Sequence, residues 1–124
     1  MTISAVRGAI TVESNTRENI LQATRELLIG MIKRNELEIS DVISVIFTCT
    51  KDLTAVYPAV AARELGMKYT ALFCCQEMDV DGSLPMCIRV LMHVSSNKDQ
   101  MRMQHIYLRE AKTLRMDLVH ENGE

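Results

Sequence analysis

Apolar and polar positions alternate through "ISAVRGAITV", residues 3–12, with the period of two that belongs to a half-buried β-strand. Val6, Ile10 and Val12 fall on one face with Ser4 and Gly8, and Arg7 falls on the other with Ala5, Ala9 and Thr11. The period then lengthens. Ile20, Leu21, Thr24, Leu27, Leu28, Met31 and Ile32 recur at helical spacing and give one apolar face. Ser14, Asn15 or Thr16 is placed to cap this helix, Glu18 sits in its first turn, and Lys33 and Arg34 suit its last. "ISDVISVIFTCT", residues 39–50, predicts a short capped turn running into a buried strand that ends near 48–50. "VYPAVAARELG" predicts a second helix, with Pro58 at its first position and Gly66 as its stop. A short strand in "YTALFCC", a loop in "DVDGSLP", a longer strand over 86–94 and a helix in "QHIYLREAKTL" complete the chain. The order β-α-β-α-β-β-α predicts an α/β (α+β) fold, a mixed sheet with helices on one face. The other face, carrying apolar strand residues, is then expected to pack against other subunits.

One residue breaks the pattern of the longer strand. In "CIRVLMHV", residues 87–94, Cys87, Arg89, Leu91 and His93 face one way, and Ile88, Val90, Met92 and Val94 the other. A guanidinium in such a strand requires an anion, because an unpaired buried charge is strongly destabilising. Glu77 is the internal candidate for Arg89, and Glu13 or Glu77 for Arg7. Two fork-shaped cations sharing so few carboxylates leave surplus positive charge, which a ligand bearing carboxylates would balance through bidentate hydrogen bonds. Tyr107, Arg63 and Arg115 would add to such a site.

Composition narrows the chemistry. With 124 residues, 48% hydrophobic and 24% charged, the chain is expected to be one soluble globular domain, residues 1–124. Its apolar content includes nine methionines and no tryptophan, and methionine is a core filler. A net charge of −2 without a basic stripe argues against nucleic acid. No apolar run approaches the ~18 residues of a membrane span, and the N-terminus lacks signal-peptide architecture, so a cytoplasmic location is expected. Cys49, Cys74, Cys75 and Cys87 form no C-x-x-C pair, and His93, His105 and His120 lack ligand spacing, which argues against a metal site. Cys74 and Cys75 are potential nucleophiles with no histidine in an obvious supporting position. There is no serine–histidine–aspartate arrangement and no glycine-rich phosphate loop. The inventory suits a reaction driven by orientation and electrostatic stabilisation alone.

Four stretches, "VRGAITVE", "DLTAVYPAVAARELG", "CCQEMDVDGSLPMCIRV" and "HIYLREAKTLRMDL", closely resemble the monofunctional, barrel-type chorismate mutases, over nearly the whole chain. The resemblance implies a homotrimeric pseudo-α/β barrel with helices outside and active sites in clefts between subunits. It implies the Claisen rearrangement of chorismate to prephenate on the branch toward phenylalanine and tyrosine, with no cofactor, metal or covalent intermediate. Carried over by position, Arg89 would bond the ether oxygen and a carboxylate, and Arg7 and Tyr107 would hold a carboxylate. Glu77 would accept from the ring hydroxyl, with Cys74 beside it. Tyr57, Ala59, Phe73 and Leu114 would line the cleft, Arg63 and Arg115 would stand at its mouth, and a mobile tail from about residue 116 would close over it. Val60 stands where some relatives carry a charge, and Met116 where a proline is common, which is expected to alter substrate affinity rather than the chemistry. The alternative is a trimeric small-carboxylate-binding or imine-hydrolysing protein with interfacial sites.

Overall fold

A computed structural model describes residues 1–115; Met116 and the expected closing tail lie outside the described residues. Five strands form one mixed sheet: β1 (Thr2–Thr11), β2 (Val42–Cys49), β3 (Ala71–Gln76), β4 (Cys87–Ser96) and β5 (Ile106–Leu108), in the order β3-β2-β4-β1-β5. β4 is antiparallel to both β1 and β2, whereas β3 runs parallel to β2 and β5 parallel to β1. Helices α1 (Arg17–Arg34) and α2 (Ala59–Glu64) cover one face.

α1 forms where the helical period predicted it. Thr16, in an extended conformation, caps it by accepting the Asn19 N–H at 3.2 Å. Its buried side, Ile20, Leu21, Ala23, Thr24, Leu27, Leu28 and Met31, packs on β1. Gly8 allows that approach: a Cβ there would stand 2.6 Å from Met31 Sδ and 3.0 Å from Leu27 Cδ1. The even positions of β1 and β4, together with Val45 and Phe47 of β2, complete this core. Buried Asn35, just past α1, donates to Met31 O and Gln104 O at 2.9 Å each and accepts the Gln104 N–H at 2.8 Å, tying the helix end to the chain entering β5.

The C-terminal element differs from the expected helix over 104–114. Ile106 to Leu108 is strand, followed by a 3₁₀ turn, Arg109–Leu114. The helical reading failed because Ile106 and Tyr107, adjacent in sequence, are both buried, on opposite faces of the sheet. What decides the conformation is nonlocal: the outer edge of β1 at residues 8–10 needs backbone partners, and β5 supplies them. Arg109 then turns the chain at φ +56°, its guanidinium donating to Thr11 O and Glu26 Oε1 at 3.1 Å each. The 3₁₀ turn packs Ala111 and Leu114 against Ala9, Cys87 and Tyr107, so one end of the sheet's second face is covered. The rest stays open, with Ile3 70% and Phe73 64% exposed.

Candidate active site

The strand register lays out the open face row by row. Cys75 pairs with Thr48, Thr48 with Arg89, Arg89 with Ala9, and Ala9 with Tyr107, so one row of side chains crosses all five strands. The next row is Phe73, Ile46, Leu91 and Arg7. Arg7 therefore stands diagonally next to Arg89 on the neighbouring strand, the relation in which long side chains reach a common point above a sheet. Ala9, between Arg89 and Tyr107, is itself buried and packs with Cys87, Ala111 and Leu114, so that meeting point lies beside the covered end of the face.

Glu77 follows β3, its N–H bound to Cys49 O at 2.9 Å. Its carboxylate accepts a short hydrogen bond from the Thr48 hydroxyl, and Oε1 stands 3.5 Å from Arg89 Nε. The internal ion pair expected for Arg89 thus exists, but it does not complete the guanidinium. Among the described residues, two buried side-chain N or O atoms lack any hydrogen-bond partner: Arg89 Nε and Tyr107 Oη. Both lie in the same row, on either side of Ala9. An orphaned buried donor costs about 1–3 kcal/mol, so finding both on one side of one sheet marks a place built for something else to bind. Arg7 is exposed, and neither Glu13 nor Glu77 pairs with it. Two cations against one carboxylate leave the surplus positive charge that the sequence called for.

Cys74 does not stand beside Glu77. It pairs with Phe47, a core residue, and therefore faces the helix side of the sheet. Burial raises its thiol pKa, opposed by the Ala59 N–H and the Arg63 charge, which places Cys74 against the start of α2. A groove of about 700 Å³ runs along this edge, lined by Tyr57, Val60, Cys49, Cys74, Cys75 and Arg17 among others. Ala59 is buried under the helix start, and Tyr57 is 72% exposed. Tyr107 sits on β5 rather than on a helix. Leu114 packs beside it, and Arg115 follows, its charge bearing on His105.

The expected site residues thus fall into two groups. Arg7, Glu77, Arg89, Tyr107, Leu114 and Arg115 gather on the open face, whereas Tyr57, Ala59, Arg63 and Cys74 belong to the β3/α2 edge; Phe73 is on the open face too, but on the edge strand β3. β1 and β3 are three strand spacings apart, or ~14 Å, so within one chain Arg7 stands well away from the β3/α2 edge, with Arg89 and Glu77 between.

The type I chorismate mutase family matches residues 3–118. The chain belongs to that family. It is 49% identical over 117 residues to chorismate mutase AroH of Thermus thermophilus, spanning 94% of this chain and 96% of that relative. To chorismate mutase AroH of Bacillus subtilis it is 46% identical over 119 residues, spanning 95% and 94%. A solved structure, the chorismate mutase from Clostridium thermocellum Cth-682, matches with a TM-score of 0.86 at 52% identity, covering 88% of this chain and 97% of that one. Family membership agrees with the isomerase reading of the sequence and not with an imine-hydrolysing protein.

Sequence reasoning passed over Thr48 and His105. Thr48 holds Glu77, and the strand's alternation places it on the same face as Ile46 and Arg89, a signal available in the period alone. His105 accepts the Arg7 backbone N–H at 2.9 Å. Nothing short of the β1–β5 pairing reveals that contact. Among the described residues no helix is long and apolar enough to cross a membrane.

Proposed function

We propose that this type I chorismate mutase converts chorismate to prephenate in clefts between the subunits of a homotrimer, with Arg89 stabilising the ether oxygen as its bond to carbon lengthens. The observation that carries the assignment of Arg89 is the pair of orphaned atoms, Arg89 Nε and Tyr107 Oη, in one row of side chains on the face away from the helices. The rearrangement moves electrons around a six-membered cycle and transfers no proton to the protein. What the protein must supply is a folded substrate conformation and a fixed positive charge where negative charge develops. Arg7 and Tyr107 hold a carboxylate, and Glu77, oriented by Thr48, accepts from the ring hydroxyl. Two of the four thiols are held neutral: burial pushes Cys49 up to about 12 and Cys87 up to about 11, so both stay protonated at neutral pH.

Supporting the trimer is the split of the site residues. If the β3/α2 edge of one protomer abuts the open face of the next, Tyr57, Ala59, Phe73, Cys74 and Arg63 reach the cations of its neighbour, and the exposed Ile3 and Phe73 become interface. Residues 1–124 act as one domain in the cytoplasm.

The experiment is to mix the protein with chorismate, follow the loss of the cyclohexadiene absorbance and the appearance of prephenate, and measure the mass by sedimentation. The expected result is turnover by a trimer. A well-folded trimer that leaves chorismate untouched overturns the catalytic reading, and a fully active monomer overturns the interfacial one.

A further inference from the structure

Strand covers only part of the outer edge of β1. β5 pairs with residues 8–10, and beyond it the edge is closed by side chains. The Gln100 amide accepts the Ala5 N–H at 2.8 Å and donates to Ala5 O at 2.7 Å, as a neighbouring strand would. The last gap is at Arg7, whose N–H donates to His105 Nδ1 at 2.9 Å. Gln100 plays its part at any pH. His105 does so only while Nδ1 carries no proton, because an imidazolium has two donors and no acceptor.

We infer that His105 is a positioning residue for Arg7: its neutral ring fixes the Arg7 backbone, and hence the point at which that guanidinium meets a substrate carboxylate, and protonation of the ring releases it. The inference rests on the assignment of Arg7 to a carboxylate. The geometry makes the coupling direct, since the side chain of Arg7 springs from the same residue whose N–H is held. A released N–H at this edge has no strand to return to, because β5 begins one residue after His105 and pairs from Gly8 onward.

The surroundings keep the ring neutral. Burial lowers the His105 pKa first, and the charges of Arg7, from β1, and Arg115, beyond the 3₁₀ turn, lower it further. α1, packed against the same segment, meets it through Gly30, where a Cβ would stand 3.6 Å from Ile106 Cγ2, and through Asn35, which bonds Gln104; neither is ionisable. Because the folded state lowers this pKa, the bond is fully present above the ordinary histidine value of ~6.5 and is lost as pH falls through the lower folded value.

The test uses His105→Asn, which offers a non-titrating acceptor at the Nδ1 position, and His105→Phe, which keeps a ring and removes the acceptor. At about pH 8, His105→Phe is expected to raise KM for chorismate about tenfold, with a smaller change in kcat, and His105→Asn to restore most of the loss. Wild type is expected to lose kcat/KM as pH falls through a value below the ordinary histidine ~6.5, and His105→Asn to lack that acid limb. A second readout needs no turnover. Hydrogen exchange at the Arg7 amide, corrected for its intrinsic pH dependence, should be slow in wild type at about pH 8, become faster on acidification through the lowered His105 pKa, and be fast throughout in His105→Phe. Equal protection of that amide in wild type and His105→Phe overturns the inference, as does an identical acid limb in wild type and His105→Asn. Inert wild-type protein would count against the proposed reaction, while the exchange data would still decide the role of His105.

Discussion

The two faces of the sheet are made by the same strands and differ in what they leave undone. On the helix-covered side, polar groups among the core residues are closed locally: the Thr24 hydroxyl donates to Ile20 O at 2.7 Å, and Asn35 makes three bonds to its surroundings. On the other side, Arg89 and Tyr107 each keep a buried polar atom with no hydrogen-bond partner, Arg89 Nε having only the 3.5 Å ion pair to Glu77. Adjacent residues of one strand, Ile88 and Arg89, serve opposite ends. The first contributes apolar burial to stability, and the second holds in reserve a hydrogen bond that folding does not use. Unsatisfied polarity confined to one side of a well-packed sheet is the mark of a site whose last partner is a ligand.

The contrast can be broken most severely at Arg89. Arg89→Ala should reduce kcat/KM for chorismate by at least about 10²–10³, the loss typical of one preorganised donor at a developing anion. Its thermal midpoint should fall only modestly, since an orphaned Nε is removed while Glu77 loses its cation but keeps the Thr48 hydroxyl; a collapse of folding would show that Arg89 belongs to the structure and not to the site. The opposite signature is expected on the other face. Leu28→Ala removes a fully buried side chain of α1 and should cost about 2–5 kcal/mol in denaturant unfolding. The turnover of its folded fraction should stay close to wild type. A large loss of kcat there would mean the faces are not separable. The smallest effect concerns the thiols. Burial raises Cys87 to about 11 and Cys49 to about 12, so stability from burying them neutral is full below the ordinary thiol range and is lost only as pH climbs toward those values. The unfolding midpoint should therefore sag above about pH 9, while kcat between about pH 7 and 9 shows no thiol-dependent limb.

Local pattern carried much of this architecture. The period of two in residues 3–12 and 87–94 placed Arg7 and Arg89 on the side away from the helices, and the register puts them on adjacent strands of that side. Pro58 and Gly66 bracket α2 as the helix signals required, Gly66 at φ +103°. What escaped was decided by distant partners. "HIYLREA" has an adequate helical pattern and becomes strand because an edge of β1, far away in sequence, lacks partners. Cys74 and Glu77 are close in sequence yet separate across the sheet, because alternation turns the thiol toward α2 while the chain carries the carboxylate past the strand end to Thr48 and Arg89. That the site residues form two groups is a matter of strand order, which no window of sequence contains.

The most direct test of the open face is kcat/KM for chorismate in Arg89→Lys beside wild type, with thermal midpoint and mass measured on the same samples. The substitution keeps the charge and removes the planar fork, so Nε and its geometry are lost while the field is largely retained. The expectation is a loss of at least about a hundredfold, in a protein that stays folded with the mass of wild type. Turnover close to wild type in that variant would contradict it.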